Sequence, residues 1–270
     1  MTARRKRARI FVALLVVAGI SAGALAAPAG AGGASAEPQK KKKTPDEKDP
    51  QYQYEMGVVA LRYGFPDEAV RYGKLAVSLD PEHFNGWNLL GSAYYTKGEF
   101  ALAAEAYEKA AAIKPDAVEV QRNLGMALIE LKETDKAEAV LKKAYALDGE
   151  AETAYQLGKL CYNGKRFDEG LDYALRSIQM DGKSAKAYNL KGALLNQMGR
   201  FAEAAGSFQA AIVLAPGDVG LQVNLGVAYL NSGEQGKAKA VFEAVLPKLE
   251  QDELKAQVEN YLKAIKDGGK

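Results

Sequence analysis

From Pro50 onward the chain repeats itself every 34 residues, and a period of that length confines it to stacked two-helix units. Glycine recurs at Gly57, Gly91, Gly125, Gly158, Gly192 and Gly226, and alanine at Ala69, Ala103, Ala137, Ala204 and Ala238. One interval is a residue short, around Gly149. A side chain reduced to hydrogen lets the second helix of a pair cross close against the first, with the alanine as its opposing contact. Large apolar residues four positions after the alanines fill the space between hairpins, and Pro81, Pro115 and Pro216 lack a donor and stop the second helix. The spacing predicts an all-α solenoid of six hairpins over 50–83, 84–117, 118–150, 151–184, 185–218 and 219–250. Residues 251–270 follow as a polar-backed capping helix and tail, with Leu254, Val258, Leu262 and Ile265 at helical spacing.

Trp87, Leu90, Gly91, Tyr94, Ala103, Tyr107, Ala110 and Pro115 occupy every signature place of the tetratricopeptide repeat, which the chain resembles over residues 50–250. Tyr188, Gly192, Leu195, Ala204, Phe208, Ala211 and Pro216 repeat the pattern, with Lys191 in place of leucine. The resemblance implies a right-handed superhelix whose first helices line a concave groove.

Sliding residues 50–149 by 101 positions places Trp87 on Tyr188, Asn88 on Asn189, Gln121 on Gln222, Asn123 on Asn224, Tyr54 on Tyr155 and Tyr72 on Tyr173. Tyr72 and Tyr173 share an unusual feature, an aromatic beside a small residue (Gly73, Ala174) where other repeats carry the large one. A duplicated block of three repeats accounts for this. The fourth repeat has Gly170, Ala174, Ser177 and Gly182 in place of the usual alanine, aromatic, alanine and proline, so it is expected to be the weakest point of the stack.

Ahead of the repeats, residues 1–36 hold no acid and open with Arg4, Arg5, Lys6, Arg7 and Arg9, followed by an apolar run from Ile10 to Ala27. This reads as an export signal, with A-x-A sites at Ala24–Ala26 and Ala34–Ala36, or as an uncleaved anchor. Either reading puts the repeats across the membrane, in the periplasm or cell envelope, with membrane contact only through that N-terminal segment. Residues 37–49, including Lys40 to Lys43, read as a flexible linker. Of 36 basic residues five belong to the leader, which leaves 31 against 34 acids in the remainder. A folded part without excess positive charge gives no reason to expect nucleic acid as a partner. One cysteine leaves no cysteine-rich metal site, one histidine leaves no imidazole pair for a metal and argues against a histidine-based triad, and no constellation of acid, base and nucleophile stands out, so neither cofactor nor enzyme activity is expected. Cys161 stands at a core position, and His83 lies in a turn with a surface role as its default.

What the family implies for a site follows from its groove positions. Those positions hold Tyr54, Asn88, Tyr95, Arg122, Asn123 and Met126 in the first half and Tyr155, Lys159, Tyr162, Asn189 and Asn224 in the second. Glu55, Arg62, Asn85, Ser92, Glu119, Glu130, Gln156, Lys186, Asn196, Gln197 and Asn231 complete the set. Asparagine offers one acceptor and two donors and can pair with an extended peptide backbone almost regardless of its sequence; tyrosine adds contact area at low entropic cost. The expected function is therefore a non-enzymatic scaffold that binds a peptide or protein segment in the groove. The carboxylate clamp of chaperone-binding relatives needs Lys and Asn where Tyr54 and Val58 stand. The exported six-repeat plan is similar to type IV pilus assembly proteins that help secretins assemble, although those carry a lipidated cysteine after the signal and no cysteine precedes Cys161. Self-association as a structural protein is the remaining alternative.

Overall fold

The computed structural model describes residues 47–268, so the leader, its cleavage sites and the four-lysine run lie outside the described residues. Thirteen α-helices and one 3-10 turn make up this part, with no strand among the described residues. The helices are α1 (Pro50–Arg62), α2 (Pro66–Leu79), α3 (Phe84–Thr96), α4 (Phe100–Ile113), α5 (Val118–Glu130), α6 (Thr134–Asp148) and α7 (Ala151–Asn163). They continue as α8 (Phe167–Met180), α9 (Ala185–Gln197), α10 (Phe201–Leu214), α11 (Val219–Asn231), α12 (Gln235–Val245) and α13 (Asp252–Gly268), the 3-10 turn Leu246–Lys248 preceding α13. None of the described helices is long and apolar enough to cross a membrane.

Four of the six first helices carry a side-chain cap that the second helices lack, α5 and α7 being the first helices without one. Asp49, His83, Ser184 and Asp218 cap α1, α3, α9 and α11 with side-chain acceptors, whereas α2, α4, α8, α10 and α12 have no side-chain cap. The second helices start instead from one tight turn: a left-handed residue at 64, 98, 132, 165, 199 and 233, followed by a backbone bond five residues back. Phe65, Glu99, Glu133, Arg166, Arg200 and Glu234 donate to the carbonyls of Ala60, Tyr94, Leu128, Cys161, Leu195 and Tyr229 at 2.8–3.0 Å. Glycine supplies the left-handed conformation at four of these places, and Lys132 (φ 62°) and Lys165 (φ 57°) at the other two. The short interval near Gly149 is a longer α6 joined to α7 by a two-residue turn, with Gly149 itself left-handed at φ 64°.

The chain divides into two compact units at Glu133 and Thr134. In the first, α1 pairs with α2 and α3 with α4, and α5 packs after them. A phenol ring, Tyr107, lies over Gly91, so that a Cβ there would come within 2.5 Å of it. Burial pushes that phenol up to about 12, although its contact with the Ser92 hydroxyl at 3.1 Å acts the other way. Over Gly57 the space belongs to Leu89 of the next hairpin, and Gly73 makes room for Leu90, which a Cβ would approach to 2.8 Å. The side chains of Trp87 and Gln121 donate to the carbonyls of Pro81 and Pro115 at 2.8 and 3.0 Å, so the residues that end one hairpin also anchor the next.

The second unit holds α6, the hairpins α7–α8, α9–α10 and α11–α12, and α13. Phe208 and Phe242 lie over Gly192 and Gly226 as Tyr107 does over Gly91, while Leu190 covers Gly158 as Leu89 covers Gly57. The shifted tyrosines Tyr72 and Tyr173 therefore belong to one alternative packing, in which the glycine notch receives a leucine from the following hairpin. Its remaining substitutions are matched as well. A Cβ on Gly170 would meet Leu194 at 2.8 Å and Cys161 at 3.2 Å, and the Ser177 hydroxyl donates to the Ala151 carbonyl at 2.8 Å. Cys161 is buried, and burial pushes its thiol up to about 11, as its core position requires. The helix α13 closes the stack with Val258 and Ile265 buried and Tyr261 stacked on Phe242, centroids 5.2 Å apart.

Candidate functional site

Helices α7, α9 and α11 adjoin one another in the second unit, and side chains 34 or 35 residues apart meet across them. Lys186 pairs with Glu152, and its ammonium also stands 5.0 Å above the Tyr155 ring. Gln197 reaches the Tyr162 hydroxyl at 3.4 Å, while the Tyr162 ring leans on Phe167. Asn224 donates to Asn189 and Asn231 to Asn196, each at 3.0 Å. The result is a ladder of lateral bonds along the first-helix face, with exposed Lys159 beside it. Burial raises the Tyr155 phenol, with the Lys186 charge opposing it, so Tyr155 stays a neutral donor.

Each asparagine pair is polarised. Since one N–H of Asn224 is consumed by the Asn189 oxygen, Asn189 keeps both N–H donors and Asn224 keeps its oxygen and one N–H. A ligand backbone passing over the pair would meet a donor and then an acceptor. Glu150, Ala151, Glu152, Ser177, Asp181, Ser184 and Lys186 line a depression of about 300 Å³ where α7, α8 and α9 meet, which shares the Glu152–Lys186 pair with the ladder.

In the first unit Tyr54 is half-buried and sets its ring edge-on to His83, centroids 6.0 Å apart. Tyr95 packs on Phe100 at 5.3 Å, and burial together with the Glu130 charge raises its phenol. Arg122, Asn123 and Met126 are half-buried on α5. Asn88, the counterpart of Asn189, is not bridged in the same way: its Oδ1 is enclosed without a hydrogen-bond partner among the described residues.

Two assignments change, and one residue joins the set. His83 is more than a surface residue, because its Nδ1 accepts from Gly86 N at 3.0 Å and caps α3. Gln156 is buried and donates to Glu152 at 2.8 Å within its own helix, so it supports the face rather than lining it. Glu152 was not singled out from sequence, although an acid and a base 34 residues apart at the second position of consecutive repeats are a readable signal.

Tetratricopeptide repeat patterns match residues 54–118 and 155–219, and, in a second variant of the pattern, residues 94–157 and 195–258. The chain belongs to the tetratricopeptide repeat family. Within each variant the two matches stand 101 residues apart, the offset that superposes Tyr72 on Tyr173. Among curated proteins this tetratricopeptide repeat protein is similar to the human protein O-mannosyl-transferase TMTC1, 27% identical over 58% of the chain and 18% of that protein. The chain spans less than a third of the length of the curated relatives it matches. Similar solved structures include a MamA protein, 28% identical with a TM-score of 0.58 over 66% of this chain and 96% of that one. Another is a tetratricopeptide repeat protein from Parabacteroides merdae, 20% identical with a TM-score of 0.67 over 82% of this chain and 86% of that one. The family is a protein-interaction scaffold in general, and its pattern carries no catalytic constellation.

Proposed function

We propose that this protein is a non-enzymatic adaptor of the cell envelope that holds an extended protein segment against its first-helix face. The observation that carries the reading is the Asn224–Asn189 pair, which leaves a donor and an acceptor side by side at 3.0 Å pairing distance. An extended backbone alternates C=O and N–H along one edge, so such a pair serves one residue of ligand without reading its side chain. Tyr155, Tyr162 and Lys159 add contact area and positive charge beside it, which favours a segment carrying some acidic character. Export rests on the basic and then apolar leader.

The test is affinity capture from an envelope fraction of the native host, with the full chain and an Asn189→Asp/Asn224→Asp variant as paired baits. A protein retained by the first and lost by the second, with unchanged circular dichroism, is the expected result. Equal retention by both would remove the ligand from this face. A reporter fused after Lys270 and active only in the cytoplasm would contradict export.

A further inference from the structure

The ladder on the first-helix face has a period along the helices as well as across them. On each of α7, α9 and α11 two of its members stand seven residues apart: Tyr155 and Tyr162, Asn189 and Asn196, Asn224 and Asn231. Seven residues are close to two turns, so both members share one side of their helix, about 10.5 Å apart along it. Bonds from Asn224 to Asn189 and from Asn231 to Asn196 join the asparagines across α9 and α11. Two parallel rows result, one of Tyr155, Asn189 and Asn224 and one of Tyr162, Asn196 and Asn231, with a channel between them that crosses all three helices. One turn beyond the first row, on the floor of that channel, stand Lys159, Ala193 and Val227. Ala193 and Val227 are half-buried and Lys159 is exposed. Lys186 on the same face is held by Glu152, whereas Lys159 makes no ion pair among the described residues.

These dimensions choose among ligand conformations. An α-helix, about 10–12 Å across with its side chains, has its backbone groups bonded internally and would leave both amide rows without partners. A β-strand turns successive side chains to opposite faces, so residues three apart point away from each other. Packed helices lie about 8–10 Å apart, and a polyproline-II chain advances about 9.3 Å in each three-residue turn, bringing the same side chain and the same carbonyl back to one side. One turn of such a chain therefore spans one helix of the face. Its backbone makes no internal hydrogen bonds, so its carbonyls are open to the amides on either side. Aromatic walls such as Tyr155 and Tyr162 suit the same conformation. The floor then reads the side chains that point down, with a cation under one turn and small or branched apolar residues under the next two. We infer that the second unit binds a polyproline-II segment laid across α7, α9 and α11, one turn to a helix, with an acidic residue over Lys159 and apolar residues three and six positions along over Ala193 and Val227. The inference rests on the reading of this face as a ligand groove, and adds the conformation and charge pattern of the ligand.

The probe is a blocked synthetic peptide of about ten residues, three turns of the conformation, with aspartate at one position, leucine three and six positions later and proline directly after each. Its reversed sequence is titrated beside it, because the channel can be entered from either end. In fluorescence anisotropy with the full chain, the tighter of the two orders is expected to bind, and to weaken by about 3-fold or more when its prolines become alanine, since the free peptide loses its preset conformation. Valine in place of proline favours the β-strand and should weaken it further. Lys159→Glu should weaken the aspartate peptide by about 5-fold or more and should prefer the analogue carrying lysine in its place. Lys159 is exposed, so this change and the milder Lys159→Gln should leave the fold intact. The inference falls if neither order binds, if the valine analogue binds as tightly as the proline peptide, or if Lys159→Glu keeps the preference for aspartate. The Asn189→Ala/Asn224→Ala variant separates this failure from that of the groove. Alanine or valine analogues that bind wild type best and are lost from the variant would keep the groove and remove the polyproline-II ligand. A proline peptide held as tightly by the variant as by wild type would remove both.

Discussion

Arg166 grips Glu138 with both terminal nitrogens, at 2.9 and 2.5 Å, joining the turn before α8 to a residue 28 positions earlier on α6. The same guanidinium reaches Glu169 at 3.0 Å, and Lys142 closes the network 2.7 Å from Glu138. Hydrogen bonding from Arg166 holds the Glu138 carboxyl down at about 2, against an ordinary value of 4.5. A carboxyl depressed on folding contributes stability that is fully present above its unfolded value and is lost as pH falls through its folded one. The window is therefore pH 4.5 down to 2. Glu138→Gln should cost about 1–2 kcal/mol at pH 7, a range set by a bidentate pair that is partly exposed on its arginine side. Unfolding measured at pH 7 and again near pH 2 should show the gap between wild type and variant closing. A gap that persists at low pH would mean that the variant acts through packing.

Lys132 and Lys165 hold the left-handed conformation that glycine holds at 64, 98, 199 and 233. A side chain there costs roughly 1–2 kcal/mol of backbone energy, less the extra unfolded-state entropy that glycine brings. Lys132→Gly and Lys165→Gly should each stabilise the chain by about 0.5–1 kcal/mol, and Gly199→Lys should destabilise it by a similar amount. Denaturant midpoints decide the matter, and a lower midpoint for both lysine variants would show that those side chains contribute more than their strain.

Gly170 occupies a place where the family carries alanine, so consensus reasoning recommends Gly170→Ala as a stabilising change. The packing argues the reverse. A Cβ would press on Leu194 at 2.8 Å, on Cys161 at 3.2 Å and on the Gly158 carbonyl at 3.3 Å, the last being backbone that cannot swing aside. Overpacking of this kind costs about 1–3 kcal/mol. If the clash is the cause, Gly170→Ala should cost less in a Leu194→Ala background than in the wild type, although the double variant stays the less stable because Leu194 is fully buried, and thermal melts of the singles and the double read this out.

Periodic residues made the hairpins legible, because glycine notches and helix-ending prolines act locally and repeat at a fixed interval. The exchange of partners over Gly57 and Gly158 was visible only as a displaced tyrosine, since the leucine that fills the notch comes from the next repeat and a leucine at that place looks ordinary. The turn at 165 misleads in a different way. Gly164 is the residue that sequence offers for a left-handed turn, yet it sits at φ −79° and its neighbour Lys165 takes the positive angle. Register decides this, because Arg166 N must reach the Cys161 carbonyl five residues back, as in every other turn of the set. At the site, sequence located the asparagines but treated their amides as unengaged, because a lateral bond between helices depends on rotamers that spacing does not fix.

Asn189 and Asn224 join α9 to α11, and under the function proposed above they would also meet the ligand, two roles that can be separated. Removing either side chain breaks the 3.0 Å bond between α9 and α11 and leaves a half-buried amide short of a partner, so each single alanine variant should lower stability by about 0.5–1.5 kcal/mol. The double variant should cost less than the sum of the singles, with a coupling of about 0.5 kcal/mol or more, as for any pair whose shared bond is lost at the first step. Asn88→Ala should behave differently, since the enclosed Asn88 oxygen has no bond to lose, and its removal should leave stability unchanged or slightly raised. Binding then gives a second axis. Against a captured envelope partner, Asn224→Ala and Asn189→Ala should each weaken affinity by about 1–3 kcal/mol, because the ligand loses a donor or an acceptor that its backbone cannot replace. A measured cycle showing strict additivity in stability would mean that the pair does not form in solution. Additive stability together with unchanged affinity would strip both asparagines of any role beyond solubility.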